Sequence, residues 1–203
     1  MNKIFYQIKN WAAHWRALVL GSFITIDRTL GEYVFGAPVD STETEGVMKL
    51  SGQLNATVVR VNGKIEELGT LSRRVVTTAF VNFLRDDLAN AAGGADISTF
   101  KYHGCGTGVV AEAIGDTALG TECTTALNPD STRAVGTQVN SVAKTYSSVG
   151  TLTFDAAAAV TEHGLFSAAA AGTLLDRSVF AAINVASGDS IQFTYTLTLT
   201  DGG

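Results

Sequence analysis

From Ser190 to Thr200 the chain reads S-I-Q-F-T-Y-T-L-T-L-T. Ile191, Phe193, Tyr195, Leu197 and Leu199 alternate with Gln192, Thr194, Thr196 and Thr198. A period of two over such a run predicts a β-strand with one face in a core and the other in water. Helical winding would scatter the same residues around a cylinder. Shorter apolar runs precede it, near 97–102, 134–139, 145–154 and 177–185. Turn formers separate them at Gly104 to Gly108, Asn128-Pro129-Asp130, Gly172 and Ser187-Gly188-Asp189. Short strands at this spacing predict a β-sandwich or jelly roll. Leu54 to Val61, closed by Asn62-Gly63, predicts a further strand entering a tight turn. Two alanine runs, Ala156 to Ala159 and Ala168 to Ala171, carry helical propensity, which Gly164 and Gly172 cut short.

Helical spacing occurs in two places. Ile4, Ile8, Trp11, Trp15 and Leu18 recur at intervals of 4, 3, 4 and 3, an a/d seam on a helix. Two heptads do not hold a coiled coil alone, so the seam must pack on the chain's own body, a sister subunit or another protein. Val76, Phe80, Phe83, Leu84 and Leu88 share one face of a second helix, with Ser72 as its cap and Gly93-Gly94 as its end. Between the two, Gly21, Gly31, Gly36, Pro38 and the polar run Asp40 to Gly46 read as an irregular, extended connector. The expected fold class is mainly β: a β-sandwich or jelly-roll-like body over 51–203 that includes one internal helix near 72–92. An amphipathic anchoring helix over 1–20 and a connector over 21–50 precede it.

Composition sharpens this picture. Hydrophobic residues make up 46% of the 203 positions and argue against disorder. Charged residues are only 16%, against about 25% in a typical soluble domain. Such a shortage suits a surface covered by neighbouring subunits or wetted by Thr and Ser. The net charge of −5 points to no nucleic-acid partner. Residues 1–20 hold Lys3, Lys9 and Arg16 and no acid, so they carry +3 and leave −8 on the rest. A basic arm on an acidic body suits docking on an acidic neighbour. The apolar patch Ala17 to Ile26 is short and is approached by Trp11, His14, Trp15 and Arg16, so it reads as neither signal peptide nor membrane span. No membrane partner is expected.

Candidate chemistry is sparse. H-G-C-G-T-G, His103 to Gly108, has glycines that would cradle an anion, but no Lys-Ser or Lys-Thr follows to make a phosphate loop. A tight turn or close backbone packing accounts for it better. His103, Cys105 and Cys123, with Glu122 or Glu112, are ligand types that suit zinc, yet their spacing matches no compact zinc motif. Cys105 beside His103 would give a thiolate and a base, with no Asn or Asp placed to orient the ring. His163 beside Glu162 lacks a nucleophile and reads as a strand end turning at Gly164. Glu66-Glu67 and Asp86-Asp87 read as solvated faces. Two cysteines are too few for a disulfide framework; they read as buried thiols, and a single bridge between them stays open. No catalytic residue, cofactor or metal is expected.

K-Y-H-G-C-G-T-G-V-V-A-E-A-I-G-D-T-A-L-G-T-E, Lys101 to Glu122, resembles a stretch of virion structural proteins of tailed bacteriophages. So do V-T-E-H-G-L-F-S-A (Val160 to Ala168), G-T-L-L-D-R-S-V-F (Gly172 to Phe180) and I-Q-F-T-Y-T-L-T (Ile191 to Thr198), a resemblance over roughly residues 96–200. It implies a β-sandwich that assembles into oligomers without catalysis, and it transfers no functional residues. The expected role is a capsid decoration (cement) subunit located in the virion. Its partners would be its own copies, a trimer being the guess, and other virion proteins such as the major capsid protein. The alternative is a tail- or fibre-associated receptor-binding or adaptor module, using loops such as Gly104 to Gly108 and Asn128 to Thr132. Ile4, Ile8, Trp11, Trp15 and Leu18 are the expected interface residues, because large aromatic side chains anchor interfaces.

Overall fold

The computed structural model describes residues 24–27, 32–35, 48–74, 76–89, 96–130 and 132–201. The chain divides into two units, residues 1–47 with 201–203, and residues 48–200. In the first, β1 (Ile24–Asp27) and β2 (Glu32–Phe35) pair antiparallel. The irregular reading of 21–50 missed this hairpin; its strands are four residues each, too short to show an alternation. The helix expected over 1–20 lies outside the described residues.

The second unit is a β-sandwich. One sheet runs in the order β4 (Ile65–Arg74), β3 (Lys49–Val59), β11 (Ser190–Thr200), β8 (Thr145–Thr153), β7 (Thr137–Val139). The other runs β10 (Leu174–Val185), β9 (Ala158–Phe166), β5 (Tyr102–Gly106), β6 (Ala134–Val135). Each pairing is antiparallel. Because β8 pairs with β11 and β9 with β10, these four strands form one long ribbon that folds over from the first sheet to the second. The corner is closed by backbone bonds: Phe154 N–H donates to Asp189 O at 2.9 Å and Gly188 N–H to Phe154 O at 2.7 Å. Gly188 sits there at φ +88°, a conformation that side chains disfavour. The Asp189 carboxylate accepts from Val61 N–H, Ala186 N–H and Arg60, which ties the corner to the β3–β4 turn.

The alternation in the last strand does what its pattern predicts. Ile191, Phe193 and Tyr195 are fully buried, and Leu54 and Val58 of β3 join them. Cys105, Val160, Leu165 and Leu175 close the core from the second sheet. Each such large apolar side chain stabilises the fold by about 1.5–3 kcal/mol relative to exposure. On the outer face of the five-stranded sheet the hydroxyls bond to one another, Ser147 to Thr196 at 2.9 Å and Thr153 to Ser190 at 3.0 Å.

Four local expectations need correction. The internal helix, α1, spans Thr78–Leu88 and is capped by Thr77, whose hydroxyl accepts from Phe80 N–H at 3.1 Å. Ser72 belongs instead to β4, where it pairs with Leu54, and Leu88 points into solvent. The run at 97–102 is a short 3-10 turn, Ile97–Thr99, before β5, with Asp96 accepting from Ser98 N–H. Ala158 and Ala159 enter β9, since ribbon pairing with Val185 and Asn184 overrides a weak helical propensity. Gly164 is no strand end; it lies inside β9, between Gly104 and Arg177.

Candidate functional site

The residues that looked most like chemistry in the sequence meet inside the sandwich. His103 Nδ1 lies 2.9 Å from His163 Nε2, and His103 Nε2 lies 2.8 Å from Ser148 Oγ. All three side chains are fully buried. Burial pushes His103 down to about 3 and His163 well below the usual histidine value, so both rings are neutral at physiological pH. A Cβ at Gly136 or Gly150 would run into the His103 ring, which explains two glycines by close approach. The chain Ser148–His103–His163 is a hydrogen-bonded core network without access for a substrate. Cys105 shares the inward face with His103 as its i+2 neighbour but is equally buried. Among the described residues no three His, Cys, Asp or Glu side chains converge to hold a metal ion.

The opposite face of β5, β9 and β10 carries a second polar system. Glu162 projects there and is fully buried beneath the loop that joins β5 to β6. Its carboxylate accepts from Gly108 N–H at 2.9 Å, Thr121 N–H at 2.7 Å, Gly120 N–H at 2.9 Å and Arg177 Nε at 2.8 Å. Desolvation alone would raise its pKa; the backbone donors and Arg177 outweigh that and hold it below the usual value. A Cβ at Gly106 or Gly108 would collide with this carboxylate. The H-G-C-G-T-G string is therefore neither a turn nor a ligand cradle. Its first four residues are strand, and its glycines make room for the protein's own anion.

From Glu162 the network spreads into the loop. Arg177 also donates to Asp116 at 3.0 Å and to the Val110 carbonyl at 3.1 Å. Arg133 grips Glu122 through two bonds of 2.6 and 2.9 Å, stacks 3.4 Å above the Phe166 ring, and donates to the Ala168 and Ala171 carbonyls. Leu119 packs with Phe166 and Leu174 in a small outer core. Arg74 pairs with Glu112, and Thr78 N–H at the start of α1 donates to the Ile114 carbonyl at 2.8 Å. A long loop with little regular structure is thus fastened at many points.

What this loop presents is apolar. Val109, Val110 and Ile114 are 75%, 74% and 60% exposed. Their backbone is held by Arg177, Thr78 and neighbouring bonds while their side chains stand in water. Apolar groups on a preordered backbone lose little further entropy when a partner covers them. This is the candidate functional site: apolar side chains held out in water on a fastened loop.

No protein-family model matches the chain, and no curated protein matches it. The expected interface residues Ile4, Ile8, Trp11, Trp15 and Leu18 lie outside the described residues. Of the other candidates, the structure brings together His103, Cys105, His163 and Cys123, all as core or core-facing groups. Glu66 and Glu67 lie on β4; hydrogen bonds from Arg60 and Lys64 hold Glu66 down to about 2. Asp86 pairs with its neighbour Arg85 on α1. Sequence reasoning missed Glu162–Arg177, Arg133 and the three exposed apolar residues. The one signal available was the cluster of Gly104, Gly106, Gly108 and Gly120, which mark where a backbone must approach other groups. No helix among the described residues is long and apolar enough to cross a membrane.

Proposed function

We propose that this chain is a non-enzymatic structural subunit of a tailed-bacteriophage virion, a capsid decoration protein of jelly-roll type. The single observation that carries the assembly role is the fastened loop that holds Val109, Val110 and Ile114 out in water. A two-sheet body with a long folded ribbon, a low charge content and a hydroxyl-rich sheet face support the same reading. The resemblance over residues 96–200 supplies the virion context. In this reading the body contacts sister subunits or the major capsid protein, and Trp11 and Trp15 on the basic arm anchor it. Neither nucleic acid nor membrane is a partner.

A tail- or fibre-associated receptor-binding module is the second reading. The row of Ser, Thr, Gln and Asn on the outer sheet favours it, because uncharged hydroxyls and amides suit sugar recognition. Copy number separates the two. Quantitative mass spectrometry of purified particles is expected to find the chain in shell-like stoichiometry. A few copies per particle would favour the tail module, and absence from particles would overturn both. With Trp11 and Trp15 both changed to Ala, the body is expected to fold and incorporation to be lost; normal incorporation would remove the anchor from the proposal.

A further inference from the structure

Cys105 and Cys123 stand far apart in sequence, yet the backbone sets them side by side. Gly106 and Glu122 form an antiparallel bridge; Thr107 N–H donates to Thr121 O and Cys123 N–H to Cys105 O, each at 2.9 Å. One step along this pairing, the two cysteines are directly opposite each other. Opposed residues in such a pair have Cα atoms about 4.5–5.5 Å apart, within the span that a disulfide bridges. Both sulfurs are free thiols.

The two are not equivalent. Cys105 is fully buried in the sandwich core. Cys123 is half-buried and lines a small surface pocket with Gly104, Glu122, Thr132, Arg133 and Ala170. Cys123 sits half-buried at a pocket while Cys105 is sealed in the core, the order of access that thiol–disulfide exchange uses.

We propose that Cys105 and Cys123 are a redox site that closes to an intramolecular disulfide by exchange with a small disulfide oxidant such as oxidised glutathione. Cys123 loses its proton to water, and its thiolate attacks one glutathione sulfur. The glutathione S–S bond breaks, and one glutathione leaves as a thiolate that takes up a proton. Cys105 then loses its proton and attacks the Cys123 sulfur, expelling the second glutathione, which is protonated in turn. Two protein thiols are oxidised by two electrons, and one glutathione disulfide is reduced to two thiols. The neighbouring Cys105 thiol lowers the Cys123 pKa, while Cys123 and burial raise that of Cys105, which supports Cys123 as the attacking partner. The new bond would fasten the loop to β5 covalently, beside its attachment through Glu162 and Arg177. None of this depends on the virion reading.

The test uses the full-length chain, equilibrated in oxidised and then in reduced glutathione and followed by intact mass, peptide mapping and thermal melting. In oxidised glutathione the mass is expected to fall by two hydrogen atoms, with a Cys105–Cys123 cross-linked peptide. Closing a loop of this length is expected to raise the melting temperature by about 5–10 °C, reversibly. The Cys105→Ser variant is expected to stop with one glutathione on Cys123, and Cys123→Ser to remain unmodified. A native chain that keeps two free thiols, a stable glutathione adduct on it, or cross-linked dimers would each overturn the proposal.

Discussion

Asp176 is the least comfortable side chain in the sandwich. It is buried on β10; Oδ1 accepts from the Ser178 hydroxyl, and Oδ2 meets no donor among the described residues. Burial raises its pKa to about 6 from an ordinary 3.8. Below pH 3.8 the group is protonated in both folded and unfolded chains and costs nothing as a charge. As pH rises to 6 the unfolded chain releases the proton first, so the fold loses stability, and above 6 it carries the full cost of a buried carboxylate. Asp176→Asn is therefore expected to be more stable than the native chain above pH 6 by roughly 1–3 kcal/mol, the gain vanishing below pH 4. Urea midpoints across that range check it; an equal difference at all pH values would refute the titration. His103 and His163 have the opposite sign. Their folded pKa values are depressed, that of His103 to about 3, so the stability they permit is complete above 6.5 and drains away as the pH falls below it. In the Asn variant this acid loss is no longer offset, and its stability should fall more steeply on acidification.

β9 shows why an element with a clear structure can have an unclear sequence. Residues 160–166 are all buried, because the core covers one face and the fastened loop the other. A strand covered on both sides loses the polar–apolar alternation that made β11 legible. Its outer face even carries a carboxylate, which without the loop would mark a solvated surface. Removing that charge tests how much the loop depends on it. Glu162→Gln leaves Arg177 with Asp116 and presents an amide to backbone donors that need an acceptor. It is expected to cost about 3–5 kcal/mol, the usual loss when one partner of a buried pair is removed. The loss should appear as a lower urea midpoint and as faster amide exchange at Gly108, Gly120 and Thr121. Unchanged exchange there would mean that Arg133 and the Leu119 cluster hold the loop without Glu162.

The body, residues 48–200, has its own core and its own ribbon. The arm before it is proposed to do the gripping. Deleting residues 1–20 is expected to leave the melting temperature of the body unchanged by calorimetry. Solution mass of the same two proteins then assigns self-association. An oligomer that falls to monomer on deletion makes residues 1–20 the self-associating element. An oligomer that survives deletion places that contact outside residues 1–20 and frees them for another protein of the particle.

What could be read from the chain alone follows from local periodicity. The alternation of Ser190 to Thr200, the Asn62-Gly63 turn and the spacing of turn formers each depend only on neighbours in sequence. They were enough for a mainly β body of sandwich type. The partnership of Glu162 with Arg177, of Arg133 with Glu122, of His103 with His163 and of Cys105 with Cys123 was not legible. Each joins residues brought together by the folding of the ribbon and the draping of the loop, and hydrogen bonds and ion pairs act over a few ångströms of space, whatever the separation along the chain. Tertiary structure alone decided that Gly106 and Gly108 clear a path for a carboxylate, that His103 and His163 are core, and that Val109, Val110 and Ile114 are left facing water.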